Sequence, residues 1–336
     1  MKADLQLLNS ALHQAVRRTI RRHGLCPSGT RLLIGVSGGS DSVALTLLLR
    51  DLAGHGDFEV AALAHFNHQL RPEAARDELF CRDLAARIGL PITIESADVQ
   101  SYAASVRQSI EEAARTLRYG FLERAAAGGG ASCIAVGHTE DDQAETYLLK
   151  LVRGAGLTGL GGIYPRRGQV IRPLLDVTRA ALRAYLISAG QAWIEDDTNA
   201  DVSNPRNRIR HRVLPELDAA YAGASRAGIA RAAAHAREDG QWLDELAAAR
   251  YSELATRVDH GVHIDAPGLA AEPVPMQRRV VLLAARGLAG DREIGLEHVE
   301  SVLDVLAGIA AGVDIPGSRV ELRHKMLVLI QQGVRP

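Results

Sequence analysis

Ser37-Gly38-Gly39-Ser40-Asp41-Ser42 is the segment of this sequence best equipped to hold phosphate. It follows a short apolar run and opens a helical pattern. Glycines let backbone approach an anion closely, and a helix N-terminus offers free N–H groups at the positive end of its dipole. Ser37, Ser40 and Ser42 add hydroxyl donors. Asp41 would repel phosphate unless a bound Mg²⁺ reversed the local sign, which makes Asp41 the candidate metal ligand. A Ser or Asp N-cap accounts for one of these residues but not for the run. The Lys of GxxxxGK[ST] is missing, so transfer of a γ-phosphate is disfavoured.

A second block, Gly137-His138-Thr139-Glu140-Asp141-Asp142-Gln143-Ala144-Glu145, places acids at the start of a helix. Asp141 and Glu145 are four apart and Asp142 and Glu145 three apart, so they share a face. Acids in a first turn complement the dipole, but this many repel one another unless a cation joins them. His65-Phe66-Asn67-His68-Gln69-Leu70-Arg71 follows an apolar run, and its imidazoles and Arg71 suit nucleotide or RNA contact. Arg115 and Arg118, three apart on a helix, could clamp phosphate. Asn204-Pro205-Arg206-Asn207-Arg208-Ile209-Arg210-His211-Arg212 is a dense basic patch suited to sequence-independent phosphate contacts. Arg153 to Gly159 contains a formal GxGxxG, but a helix precedes it where a dinucleotide site needs a strand, so NAD binding is rejected.

These segments need a scaffold that brings them together. Leu5, Leu8, Leu12, Val16 and Ile20 predict an opening helix. Strands are expected at Arg31–Val36, Glu59–His65, Pro91–Glu95, Cys133–Gly137 and Val170–Ile171. Helices are expected at Ser42–Leu52, Glu73–Ile88, Ile110–Ala127, Glu140–Val152 and Thr178–Ser188. Repeated strand–helix units imply an α/β fold with a parallel sheet covered on both faces. Ligands on such sheets sit at the carboxyl ends of strands, where the polar clusters after Val36, Ala64 and Val136 all fall. The expected division is a catalytic domain at 1–215, a helical connector at 216–255 and a smaller α+β domain at 256–336, which ends in a β-meander.

Aliphatic residues are plentiful among the 336 and aromatics scarce, as α/β layers require. A formal net charge of −1 means that any nucleic-acid contact uses a local patch. Cys26, Cys81 and Cys133 form no CxxC pair, which argues against structural zinc or disulfides and for a reducing cytoplasm. Arg17, Arg18, Arg21 and Arg22 read as a solvated helix face. No apolar run is long enough to span a membrane.

Strand-SGGSDS-helix resembles the loop of the ATP pyrophosphatase (PP-loop, adenine nucleotide alpha hydrolase-like) superfamily, whose members attack the α-phosphate of ATP and release pyrophosphate. Within it, HFNHQLR resembles the HVNHGLR segment of tRNA(Ile)-lysidine synthetases, with Phe66 and Gln69 as departures. GHTEDDQAET resembles their GHxxDDxxET block, and Glu112 to Tyr119 their ExxRxxRY helix. Arg153 to Gly159, Arg172-Pro173-Leu174-Leu175, Glu195 to Asn199 and the basic patch resemble further segments in the expected order. The resemblance is close over residues 30 to 215 and loose beyond.

The resemblance implies an ATP- and Mg²⁺-dependent ligase acting on the wobble cytidine of a CAU-anticodon tRNA(Ile). Adenylation of the base would be followed by attack of free L-lysine. It implies ATP binding by Ser37, Gly38, Gly39, Ser40, Asp41 and Ser42, and catalysis by Asp41, His138, Asp141, Asp142, Glu145 and Arg115. It implies tRNA contact by His65, Asn67, His68, Arg71, Arg118, Arg206, Asn207, Arg208 and Arg210, a tRNA-binding C-terminal domain, and room for a homodimer. Rival readings are a PP-loop tRNA thiolase, which would usually show cysteine pairs, and an NAD or GMP synthetase, which would not need the basic patch. A non-enzymatic nucleotide module would have no use for the acidic block.

Overall fold

Leu32 and Ile34 of the first strand point to one side of a sheet and Leu33 to the other, and all three are fully buried. This is the two-sided burial of a central parallel strand. The computed structural model describes residues 2–54, 56–70, 73–195 and 203–332, with side chains from residue 10 onward. It divides into two compact units that meet between Arg237 and Glu238.

In the first unit the strands are β1 (Thr30–Gly35), β2 (Phe58–Asn67), β3 (Ile92–Ser96), β4 (Cys133–Ala135), β5 (Arg166–Arg167) and β6 (Val170–Ile171). The helices are α1 (Lys2–Arg22), α2 (Ser40–Ala53), α3 (Ala74–Ile88), α4 (Val99–Val106), α5 (Ile110–Gly128), α6 (Glu140–Val152), α7 (Leu157–Leu160), α8 (Arg179–Ser188), α9 (Pro205–Arg208) and α10 (Leu214–Ala220). The sheet order is β3-β2-β1-β4-β6-β5, parallel except for the short β5. The chain moves outward from β1 to β3, then returns to place β4 on the other side of β1. That reversal opens a crevice at the carboxyl ends of β1 and β4, where α/β sheets bind ligands. One core packs α1, α2, α3 and α8 on one face, and a second packs α4 and α5 on the other. The small helix α4 and the β5–β6 turn were not anticipated from the sequence, being too short to show a period.

Between α9 and α10 the chain makes a π turn over Ile209–Val213. Pro215 has no N–H for the carbonyl four residues back, and its ring would clash there; the wider turn accommodates it. Helix α11 (Ser225–Leu254) carries the boundary between the units.

The second unit is an antiparallel sheet, order β7-β8-β11-β10-β9, made of β7 (Ala255–Val258), β8 (Gly261–Asp265), β9 (Gly312–Ile315), β10 (Ser318–Arg323) and β11 (Met326–Gln331). Helices α12 (Ala266–Ala270), α13 (Val274–Ala289) and α14 (Leu296–Leu306) accompany it. Val262, Ile264, Leu327, Leu329 and Val320 alternate along the strands to meet Val281, Ala284 and Val302 of the helices. The meander expected at the end is present, and the β7–β8 hairpin precedes it in the chain. Among the described residues no helix is long and apolar enough to cross a membrane.

Candidate functional site

Gly38 adopts φ +86°, a left-handed conformation that bends β1 sharply into α2. A Cβ at Gly38 would lie 2.6 Å from Ile194 Cδ1, and Ile194 N donates to Gly38 O at 2.9 Å. The segment carrying Ile194 therefore lies directly on the loop. Ser42 Oγ accepts from Ser37 N at 3.1 Å and donates to Gly39 O at 3.0 Å, closing the loop on itself. Gly39 is the N-cap of α2 and makes no side-chain cap, which leaves the helix start open to an anion.

Gly137 brings the end of β4 against this loop: a Cβ there would lie 3.1 Å from Ser42 N and from the Asp41 carbonyl carbon. Thr139 then caps α6 reciprocally, accepting from Asp142 N at 3.4 Å while Thr139 N donates to Asp142 Oδ2 at 2.9 Å. The cap fixes Asp142 next to Asp41.

Arg179 joins the two blocks. Its Nε donates to Asp41 Oδ2 at 2.9 Å, its Nη2 to Asp142 Oδ1 at 3.1 Å, and its Nη1 lies 3.7 Å from Glu145 Oε1. Its backbone N donates to Asp141 Oδ2 at 2.7 Å. Arg206 Nε donates to Glu145 Oε2 at 2.8 Å, and Arg210 Nε to Glu145 Oε1 at 2.6 Å. Arg226 Nη1 donates to Asp141 Oδ1 at 2.6 Å. The acidic block is thus matched by arginines rather than left as a bare anionic surface. Burial alone would raise the Asp142 carboxyl, but Arg179 and Arg206 outweigh it and hold it down at about 2. At Asp41 burial wins over Arg179, and the carboxyl is raised. Burial lowers His138 to about 3, so it is a neutral imidazole whose Nδ1 accepts from Arg172 Nε at 3.3 Å.

The strand β2 continues through Asn67, so its polar residues alternate in direction. His65 donates from Nδ1 to Val36 O at 2.9 Å and lies 3.4 Å from Cys81 Sγ of α3; burial lowers its pKa. Asn67 Oδ1 accepts from Gln69 N at 3.0 Å and shapes the turn. Phe66 and His68 turn the other way: their rings meet edge to face at 4.8 Å, and Phe66 stacks on Phe121 of α5 at 5.6 Å. Burial, with Arg118 nearby, lowers His68 to about 4.

A cleft of about 1070 Å³ collects these groups. Ser37, Gly39, Ser40, Asp41, Ser42, His138 and Asp142 line it, together with His65, Asn67, His68, Arg118 and Arg210. Glu145 is wholly buried behind it, and Asp141 and Arg206 reach the cleft network through their ion pairs. Gly38 is in the loop but covered by Ile194. Arg115 is exposed on α5 with its guanidinium 4.9 Å from the Tyr119 ring centre, and is not among the lining residues. Asn207 and the exposed Arg208 lie on α9 outside the lining. Arg71 and the segment Asp196 to Asn199 lie outside the described residues. Sequence reasoning missed Arg179 and Arg226, and quoted Arg172 without a role. Arg179 had left a trace: a cation at the first position of a helix opposes the dipole and needs anions nearby.

Among the described residues no three His, Cys, Asp or Glu side chains gather as a metal cage. A magnesium ion that arrives with ATP needs only one or two carboxylates, since phosphates and water complete its shell. Asp41 at the loop, with Asp142 sharing the same guanidinium, fits that requirement. Among the described residues no cysteine lines the cleft.

Residues 8–217 match the family model described as PP-loop domain. The chain is 35% identical over 327 residues to a tRNA(Ile)-lysidine synthase of Dehalococcoides mccartyi, covering 94% of this chain and 68% of that protein. It is 38% identical over 325 residues to one of Symbiobacterium thermophilum, covering 92% and 67%. It is 45% identical over 219 residues to one of Thermus thermophilus, covering 65% of this chain but only 42% of that protein. Among solved structures, the U34-tRNA thiolase NcsA of Methanococcus maripaludis, with its [4Fe-4S] cluster, superposes with a TM-score of 0.59 at 16% identity, covering 70% of this chain and 80% of that one. This last likeness concerns the fold. The chain spans about two thirds of some relatives and about two fifths of others, and on the matched domain and the near-full-length identity it belongs to the tRNA(Ile)-lysidine synthase family.

Proposed function

We propose that this chain joins free L-lysine to C2 of the wobble cytidine of a CAU-anticodon tRNA(Ile), using ATP and releasing AMP and pyrophosphate. The observation that carries the reading is the Asp41–Arg179–Asp142 bridge, which ties the phosphate loop to the acidic helix start inside one cleft.

In this reading the N–H groups at the start of α2 and the hydroxyls of Ser37, Ser40 and Ser42 hold the ATP phosphates. Asp41, with Asp142, would hold Mg²⁺, which offsets phosphate charge when bound. The target base is unstacked into the cleft, as single-stranded loop bases can be, against the wall formed by His68 and Arg118. Its C2 oxygen attacks the α-phosphate, and pyrophosphate leaves. His138 stays neutral and positions without giving up charge. The lysine amine then attacks C2 and expels AMP. An ammonium cannot attack, so a carboxylate must hold it and take its proton. Asp141, Asp142 and Glu145 are the candidates. Since arginines already occupy them, lysine has to compete with a guanidinium for its place.

The thiolase alternative is not favoured, because the relatives matched over more than nine tenths of this chain are tRNA(Ile)-lysidine synthases. The test is release of pyrophosphate from ATP with CAU-anticodon tRNA(Ile) present or absent. Stimulation by that tRNA supports the reading. Equal turnover without tRNA would move the assignment to a small-molecule synthetase.

A further inference from the structure

We propose that Arg183 is the side chain that takes the pyrophosphate half of ATP and neutralises it as it leaves; this rests on the ATP-cleaving reading above. When an oxygen attacks the α-phosphate, a new O–P bond forms and the bond from that phosphorus to the oxygen bridging toward the β-phosphate breaks. The electron pair goes to pyrophosphate, so negative charge grows on the leaving group. A cation placed there lowers the barrier, and a guanidinium does so in a fixed, two-pronged geometry. Arg183 neither gives nor takes a proton in this step.

Among the described residues, Arg118, Arg179, Arg183 and Arg210 are the arginines that line the cleft. Arg179 is held by Asp41, Asp142 and Glu145, and Arg210 by Glu145 and Asp142. Arg118 comes from α5, which packs on the opposite face of the sheet from α2. Arg183 belongs to α8, on the same face as α2 and four residues beyond Arg179, so both point from one side of that helix. Among the described residues its single ion pair is with Glu195, Nη2 to Oε2 at 2.8 Å, and its Nε has no hydrogen-bond partner.

Glu195 adjoins Ile194, whose N–H donates to Gly38 O, so the Arg183–Glu195 pair sits beside the phosphate loop. The two side chains are 43% and 58% exposed. An ion pair this open is weak, because water screens both charges, so a doubly or triply charged phosphate group readily takes Arg183 from it. Trp193 Nε1 donates to Glu195 Oε1 at 2.8 Å and keeps the carboxylate in place when the arginine turns away. Glu195 is then a placeholder for the anion, and Arg183 is stored next to its point of use.

The experiment compares pyrophosphate with AMP. Calorimetric titration of full-length wild-type protein and Arg183→Ala with each gives binding without any need for turnover. Inhibition of tRNA-dependent ATP cleavage gives the same comparison during reaction. Arg183→Ala is expected to weaken pyrophosphate at least tenfold in both assays, to leave AMP within twofold, and to lower kcat. Arg183→Lys should recover part of the loss. Glu195→Gln, which removes the competing carboxylate, should tighten pyrophosphate severalfold, and it decides the matter if Arg183→Ala does not fold. Unchanged pyrophosphate binding in Arg183→Ala, equal weakening of pyrophosphate and AMP, or weaker pyrophosphate binding in Glu195→Gln would overturn the proposal. Wild-type protein that binds pyrophosphate through Arg183 yet never cleaves ATP with tRNA would instead contradict the functional reading.

Discussion

Arg206 and Glu145 stand 61 positions apart in the chain, and Arg206 Nε donates to Glu145 Oε2 at 2.8 Å. Arg210, one helical turn on, closes on the same carboxylate. The basic patch that the sequence offers as an RNA surface is therefore partly turned inward, and two of its cations neutralise the fully buried Glu145. Taking a carboxylate out of water is costly unless it is paired, and here the pairing also docks the segment after residue 203 onto α6.

Glu145→Gln should cost about 3 kcal/mol of stability, because breaking a buried pair leaves its partners uncompensated. The partly exposed arginines place it at the low end of that range. Urea unfolding measures the loss; a change below about 0.5 kcal/mol, typical of surface substitutions, would show that the pair is not a fastening.

Asp41→Ala should abolish tRNA-dependent pyrophosphate release while leaving tRNA affinity within about threefold. The carboxylate faces the phosphate loop and Arg179, and a lost metal ligand removes charge stabilisation that the reaction needs. Filter binding of tRNA beside the pyrophosphate assay checks both halves, and full activity would remove Asp41 from any metal role.

Gly38→Ala forces a side chain into φ +86°, at a cost of about 1–2 kcal/mol, and drives its Cβ toward Ile194 Cδ1. The Michaelis constant for ATP should rise. Adding Ile194→Ala removes the clash but not the backbone strain, so the double variant should recover only part of the loss. Complete recovery would mean that the left-handed turn is not what shapes the loop.

Stability should fall in mild acid. His138 titrates near 6.5 when unfolded and at about 3 when folded, so between those values the unfolded chain binds a proton that the native one refuses. The neutral-histidine contribution is fully present above about pH 6.5 and is lost as pH drops toward 3. His68, lowered to about 4, adds in the same direction. Asp142 adds a further loss only below about pH 4, where its unfolded form begins to protonate while the folded form, held at about 2, does not. Urea unfolding at pH 7 and pH 5 should show this slope, and His138→Asn should flatten it; an unchanged slope would remove His138 as its source.

The parallel sheet and both blocks at its carboxyl edge were legible because glycine, serine and acidic residues cluster where apolar runs stop. The direction of a side chain was harder to read. Arg206 and Arg210 share a helix face by spacing, yet spacing does not say whether that face meets solvent or Glu145. His65 and His68 looked like one motif, but β2 continues through Asn67 and sends them to opposite sides of the sheet. Arg179 sits alone in Asp176-Val177-Thr178-Arg179, and its three carboxylate partners come from two distant helix starts, so only the fold brings them together. In the second unit the alternation in β10 and the apolar run of β11 were strong enough to predict the meander, whereas β7, largely exposed, carried no such pattern.

Incorporation of labelled L-lysine into tRNA tests the central claim most directly. The protein is given ATP, Mg²⁺ and CAU-anticodon isoleucine transcript, with the methionine transcript as control. Label on the isoleucine transcript alone, dependent on ATP, is the predicted result. Pyrophosphate release without any label on the tRNA would contradict lysine as the nucleophile.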